Sequence, residues 1–253
     1  TVALSGDGAD ELFGGYNKHR ALHFHHNNPF PLLLRWAKWL PEGSRNSKLS
    51  NTSRKLKKMG NLNGKSLDEA YHFLRRFTPE KQVISWLTKP SQNSLLNEVT
   101  DMNSVLIADQ KYALPNDMLT KVDLMSMAHH LEVRTPFLDP RVVQYANAML
   151  PSEKFNARES KIPLRKIAED FLPASIITRK KKGFEIPLDA LLRGPLYIEM
   201  EGIIKRLPQH DLPLNISAIE VDWKNFSKGN QNQGTIFWML FVLIKWKEHF
   251  GFY

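Results

Sequence analysis

The stretch TVALSGDGADELFGGY, Thr1 to Tyr16, decides how the rest of the chain is read. Val2 to Leu4 is a short apolar run that predicts a buried strand. Ser5-Gly6-Asp7-Gly8 breaks it, and its two glycines allow a tight turn and a close approach to a ligand. From Ala9 the pattern is helical, with Leu12 and Phe13 apolar, until Gly14-Gly15 stops or bends it. A loop at the carboxyl end of a strand therefore carries Asp7, Asp10 and Glu11. In open α/β sheets that edge is where ligands bind.

The 253 residues suffice for one large domain or two small ones, and a hydrophobic share of 42% supports a true core. No apolar run is long enough for a membrane helix. Thr1 stands inside apparent domain sequence rather than in a basic leader, so the expectation is a cytoplasmic protein of which this chain is the later part. The chain holds no cysteine, which excludes disulfides, thiolate metal sites and a cysteine nucleophile within it. Its net charge of +9 (35 basic less 26 acidic residues) suits nucleic acid and small anions such as nucleotides alike.

His19, His23, His25 and His26 follow the opening stretch. His19 and His23 have a helical spacing, but the intervening glutamate of a zinc helix is missing, so a polar helix end is the simpler reading. Leu32 to Leu40, with Trp36 and Trp39, predicts a short amphipathic helix. Residues 43–64 are basic and lack aromatics. Single-strand binders stack bases on aromatics, so a solvated linker with a helix near Thr52–Met59 is preferred to an RNA site. Ser66 to Trp86 predicts helix, with a break and a new start at Thr78-Pro79-Glu80. Ser94 to Lys111 predicts another.

Lys111 to Leu150 is the second informative block. Leu119, Val122, Met125, Met127 and Ala128 predict a buried helix, with Lys121 and Asp123 beside it. Glu132 and Arg134 read as an ion pair bracing the next loop. Lys161 falls at a helix start, between Ser160 and Pro163, where a cation opposes the helix dipole unless an anion lies nearby. Arg179 to Lys182 is a basic loop. Residues 189–230 read as loop and short helices. Thr235 to Phe250 predicts an apolar helix packed through Trp238, Phe241, Val242 and Trp246. After Val2–Leu4 no second strand is evident, although one strand cannot stand alone.

Four segments taken together, SGDGADELFGGY, LPNDMLTKVDLMSMAHHLEVRTPFLD, SKIPLR and RKKKGF, resemble the carboxyl-terminal synthetase domain of glutamine-hydrolysing asparagine synthetases, in the family's order. The resemblance implies a mainly α chain: the later portion of an adenine nucleotide α-hydrolase-like α/β domain, with one or few strands retained. Residues 1–25 would supply a late strand, the acidic loop and a helix, and residues 26–253 a mostly helical remainder. It implies ATP and Mg2+ as cofactors, adenylation of the aspartate side chain, and attack by ammonia that a glutaminase domain releases from glutamine.

By the same resemblance, Asp10 binds the magnesium–pyrophosphate, and Lys161 contacts phosphate and the adenylated intermediate. Asp7 takes the acidic position that serves the ammonia step, where many relatives carry the longer glutamate. Ser5, Gly6, Asp10, Glu11 and Lys161 are the expected cofactor-contacting residues, and Asp7 with Lys161 the catalytic ones. Asp123, Glu132 and Arg134 match motif positions near the site. The family's Ser-Gly-Gly-x-Asp-Ser pyrophosphate loop and its glutaminase domain are not in these 253 residues, so the isolated chain is expected to be inactive. An opened sheet would expose apolar surface through which two copies could pair. Two alternatives stand beside this reading: an amidotransferase acting on another carboxylate, and a basic module binding RNA or protein. The ordered motifs disfavour nucleic acid.

Overall fold

A computed structural model describes residues 1–27, 56–89, 99–179, 186–230 and 233–251. Thr1–Arg75 with Leu95–Lys180 form one compact unit, and Arg76–Ser94 with Lys181–Tyr253 another. Among the described residues the chain is mostly helical, and no helix is long and apolar enough to cross a membrane.

Among its described residues the first unit contains one small sheet. Strand β1 (Val2–Leu4) pairs in parallel with β2 (Glu132–Arg134), with Val2 opposite Glu132 and Leu4 opposite Arg134. The sequence hides β2 because its flanking positions are charged and Val133 alone is apolar. Pairing with β1 defines it, and the expected Glu132–Arg134 ion pair forms at 2.8 Å. The expectation that β1 is buried does not hold: Val2 and Leu4 are 51% and 74% exposed. The same applies to the helix Thr120–Met127, which was expected to be buried. It packs on β2 and the preceding turn, yet Leu124, Met125 and Met127 are all more than half exposed. Its apolar residues lie around the whole helix circumference, so periodicity could not show which face is covered.

Among the described residues, two clusters form the core of this unit. In one, Leu22 of the helix Asn17–Asn27 and Tyr71 of the helix Leu67–Arg75 meet Val105 and Leu106 of the helix Met102–Ala108, with Phe155 beneath. In the other, Leu12 and Phe13 pack on Ala146 of the helix Pro140–Ala148. The helix expected from Ser94 starts at Met102, because Asp101 accepts the Ser104 N–H at 2.7 Å in a reciprocal capping box. Residues 109–119 continue it as a wider π-helix, Asp109–Leu119. Residues 56–60 are the described end of the predicted basic helix. The predicted Leu32–Leu40 helix and the basic loop from Lys180 onward lie outside the described residues.

In the second unit, Trp223 and Phe226 of the helix Ile216–Ser227 pack on Phe237 and on Ile203 of the helix Tyr197–Arg206. Residues 188–227 are more helical than expected, with Pro208 and Pro213 confined to the break between Tyr197–Arg206 and Ile216–Ser227. The last helix, Gly234–Phe250, buries Ile236, Phe237, Leu240 and Ile244. Val242 and Trp246, expected inside, are about half exposed. This helix too is apolar on all sides, which concealed its covered face.

Candidate active site

The opening motif folds as its glycines require. Leaving β1, Ser5 donates its N–H to the Arg134 carbonyl at 2.8 Å. Gly8 has φ 91°, and a β-carbon there would lie 2.5 Å from Leu138 Cδ2. Gly14 has φ 68°, and a β-carbon there would enter the Phe155 ring. Both positions are left-handed and both are crowded, so glycine is required at each. Between them runs the short helix Ala9–Phe13.

This geometry sorts the expected site residues. The Ser5 hydroxyl donates to the Asp7 carboxylate and accepts the Asp7 N–H at 3.3 Å, which fixes Asp7 on the partly exposed loop. Gly6 is exposed, with open space where a side chain would be. Asp10 is half-buried on the first helical turn. Glu11 points the other way: it is 1% exposed and accepts the Tyr16 hydroxyl at 2.5 Å. Burial and the neighbouring Glu11 carboxylate push the Tyr16 phenol upward, so it stays protonated and donates.

Lys161, distant in sequence, joins Asp10. Its ammonium lies 3.0 Å from Asp10 Oδ1, with both side chains about three-quarters covered. Its backbone is left-handed, φ 56°, and its N–H donates to the Phe13 carbonyl at 3.2 Å. Gly15 makes room for the pair, since a β-carbon there would fall 1.8 Å from Asp10 Oδ1 and 2.4 Å from Lys161 Cε. The sequence marked Gly15 only as a helix stop. Asp123 is exposed on the helix Thr120–Met127, and Glu132 with Arg134 pair along β2.

A buried polar cluster went unseen in the sequence. Asp109, at the start of the π-helix, accepts His19 Nε2 at 2.7 Å, Lys18 Nζ at 2.8 Å and the Tyr71 hydroxyl at 2.8 Å. Burial alone would raise the Asp109 pKa, but the hydrogen bond with His19, the attraction of that ring once protonated, and the charge and hydrogen bond of Lys18 hold it down at about 2. Burial lowers the pKa of His19, so the neutral ring donates from Nε2 while Lys18 balances the charge. Its Nδ1 is buried without a hydrogen-bond partner. One signal was legible: a lone aspartate ending the apolar run Val105-Leu106-Ile107-Ala108 needs buried partners. His19 is thus committed to Asp109, and among the described residues no group of three or more acidic or histidine side chains is gathered as a metal cage.

The donor set fits magnesium held by one or two carboxylates together with phosphate oxygens, the usual manner for this ion. Asp7 and Asp10 are hard oxygen donors at the partly open loop, and the Lys161 ammonium is a compact positive charge beside Asp10.

The chain is similar to known proteins. The asparagine synthase family description matches residues 1–248. A glutamine-hydrolysing asparagine synthetase of Bacillus subtilis is 34% identical over 218 residues, covering 81% of this chain and 34% of that protein. A Mycobacterium bovis protein provisionally named a glutamine-hydrolysing asparagine synthetase is 29% identical over 260 residues, covering 98% of this chain and 39% of its own length. The amidase chry2 of Gibberella zeae is 21% identical over 254 residues, 88% of this chain and 36% of that protein. No solved structure matches. The chain spans roughly a third of the length of the first two relatives, and with the family description covering nearly all of it, the chain belongs to the asparagine synthase family.

Proposed function

We propose that this chain is the acidic side of an ATP-dependent amide-forming site. One observation carries the reading: the Asp10–Lys161 pair at 3.0 Å, at the carboxyl edge of a parallel strand. The whole protein would adenylate the aspartate side-chain carboxylate. The carboxylate oxygen attacks the α-phosphorus of ATP, and the bond to pyrophosphate breaks. Ammonia, released from glutamine elsewhere in the protein, then attacks the acyl carbon. AMP leaves with the bonding electrons, and the amide nitrogen loses a proton.

Each residue has a separate task. Asp10 supplies a carboxylate for magnesium, which when bound neutralises charge on the departing pyrophosphate. Lys161 brings a second positive charge to the phosphates and to the adenylated carboxylate. Asp7, fixed by Ser5, orients ammonia and takes its proton. Ser5 and Gly6 line the approach, Gly6 by leaving it open. Glu11, locked to Tyr16, supports the loop from beneath.

Residues 1–25 and the helical remainder would form one synthetase domain working in the cytoplasm, in which further strands continue the sheet. The small size of the sheet supports this: among the described residues it has two strands, and a lone pair is marginally stable in water. The sequence holds no Ser-Gly-Gly-x-Asp-Ser loop, so the 253 residues alone would not complete the reaction. The reading is tested by assaying the whole protein for AMP formation that requires both aspartate and ammonia. AMP formed equally without aspartate would contradict it. The motif residues bear on adenylation more than on the choice of acceptor, which supports a second reading in which the acceptor is a different carboxylate. Replacing aspartate by other carboxylates in the same assay separates the two.

A further inference from the structure

Lys161 has a left-handed backbone, φ 56°, which a lysine rarely adopts. Such a conformation persists only where its surroundings over-determine it. Here the restraints converge on Arg165, one turn further along the helix Ile162–Ala168. Its backbone N–H donates to the Lys161 carbonyl at 3.0 Å. Its side chain turns back: Nε donates to the Ser160 carbonyl at 2.9 Å, and Nη1 to the Ile177 carbonyl at 2.5 Å. The guanidinium thus ties the residue before Lys161 to the helix Ala174–Ile177. From the other side, the Lys161 N–H is held by the Phe13 carbonyl.

We propose that Arg165 is the positioning residue that holds Lys161 against Asp10. A planar fork with fixed donor directions can bind two carbonyls from separate segments at once. The ammonium of a lysine is a point donor on a flexible stem and reproduces only part of this. With the Ser160 carbonyl fixed, the corner at Lys161 has one geometry, and its side chain leaves that corner along the path that Gly15 keeps open. The bearing of this device on catalysis rests on the phosphate role proposed for Lys161. The positioning itself does not.

The test is the acylation rate of individual lysines in the 253-residue chain, read by peptide mass spectrometry, with exposed Lys111 as the internal reference. Arg165→Gln and Asp10→Asn should each raise the rate at Lys161 severalfold relative to Lys111, and Arg165→Lys should give an intermediate rate. Lys161 protected as before in Arg165→Gln, while Asp10→Asn releases it, overturns the proposal. No release in Asp10→Asn overturns the ion pair on which it stands. If Arg165→Gln loses its cooperative melting transition, Arg165→Lys decides: partial release supports positioning, and unchanged protection contradicts it. Failure of the functional reading would appear elsewhere, as pyrophosphate exchange in the whole protein that is indifferent to Lys161→Ala.

Discussion

The Asp10 carboxylate occupies the space that a side chain on Gly15 would need: a β-carbon there would stand 1.8 Å from Asp10 Oδ1. The obstructing groups there, the Asp10 carboxylate and Lys161 Cε, are ends of flexible side chains that can swing away. At Gly14 the obstruction is the buried Phe155 ring, and the backbone is left-handed.

These neighbouring glycines should therefore fail in different ways. Gly15→Ala should change folding stability by less than about 1 kcal/mol, as side chains give way, while separating Asp10 from Lys161. Gly14→Ala should cost about 2 kcal/mol or more, from overpacking and backbone strain together. Urea denaturation of both variants checks this. Equal losses would show that the two positions do the same job.

Glu11 is expected to matter for stability more than for chemistry. Tyr16→Phe leaves a buried carboxylate without its hydroxyl donor and should cost roughly 1–3 kcal/mol. Glu11→Gln keeps an acceptor for Tyr16 and should cost less. Pyrophosphate exchange in the whole protein should survive Glu11→Gln and fail in Asp10→Asn. The reverse order would move the metal role from Asp10 to Glu11.

His19 gives stability a pH dependence of definite sign. Its folded pKa is pushed below 6.5 by burial, against the pull of Asp109. Below pH 6.5 the unfolded chain then binds the extra proton, so stability falls on acidification through that window. Asp109 adds a second loss of the same sign only between pH 3.8 and about 2. Chemical denaturation at about pH 7 and about pH 5 should show the first loss, and His19→Gln should reduce it. His23, also pushed down by burial, leaves a residual slope. An undiminished slope in His19→Gln would place the titrating group elsewhere.

How far the site was legible follows from where its information lies. The acidic loop was readable because Gly8 and Gly14 report local backbone demands. Lys161 was readable as an unfavourable charge at a helix start. The Asp10–Lys161 contact, the space at Gly15 and the Arg165 fork were not, because each joins segments far apart in sequence. The strand β2 was hidden by its length, since three residues carry no usable alternation. The helices Thr120–Met127 and Gly234–Phe250 were recognised as helices but not by face, because an all-round apolar helix names no buried side.

The exposed apolar residues of Thr120–Met127 should be detectable in solution. Leu124 and Met125 are 58% and 61% exposed, and Val2 and Leu4 lie open on β1 of the same unit. An apolar surface of this kind binds hydrophobic dyes. Leu124→Glu with Met125→Glu should lower dye fluorescence while the far-ultraviolet circular dichroism is retained. Unchanged fluorescence would locate the accessible apolar surface on another face.

The central claim is that Lys161, held beside Asp10, supplies positive charge to ATP phosphates. Its most direct test is aspartate-dependent exchange of labelled pyrophosphate into ATP by the whole protein, before and after Lys161→Ala. The expected result is a loss of roughly a hundredfold or more in exchange rate, with the melting temperature preserved. Exchange at the unsubstituted rate in the folded variant would contradict the claim.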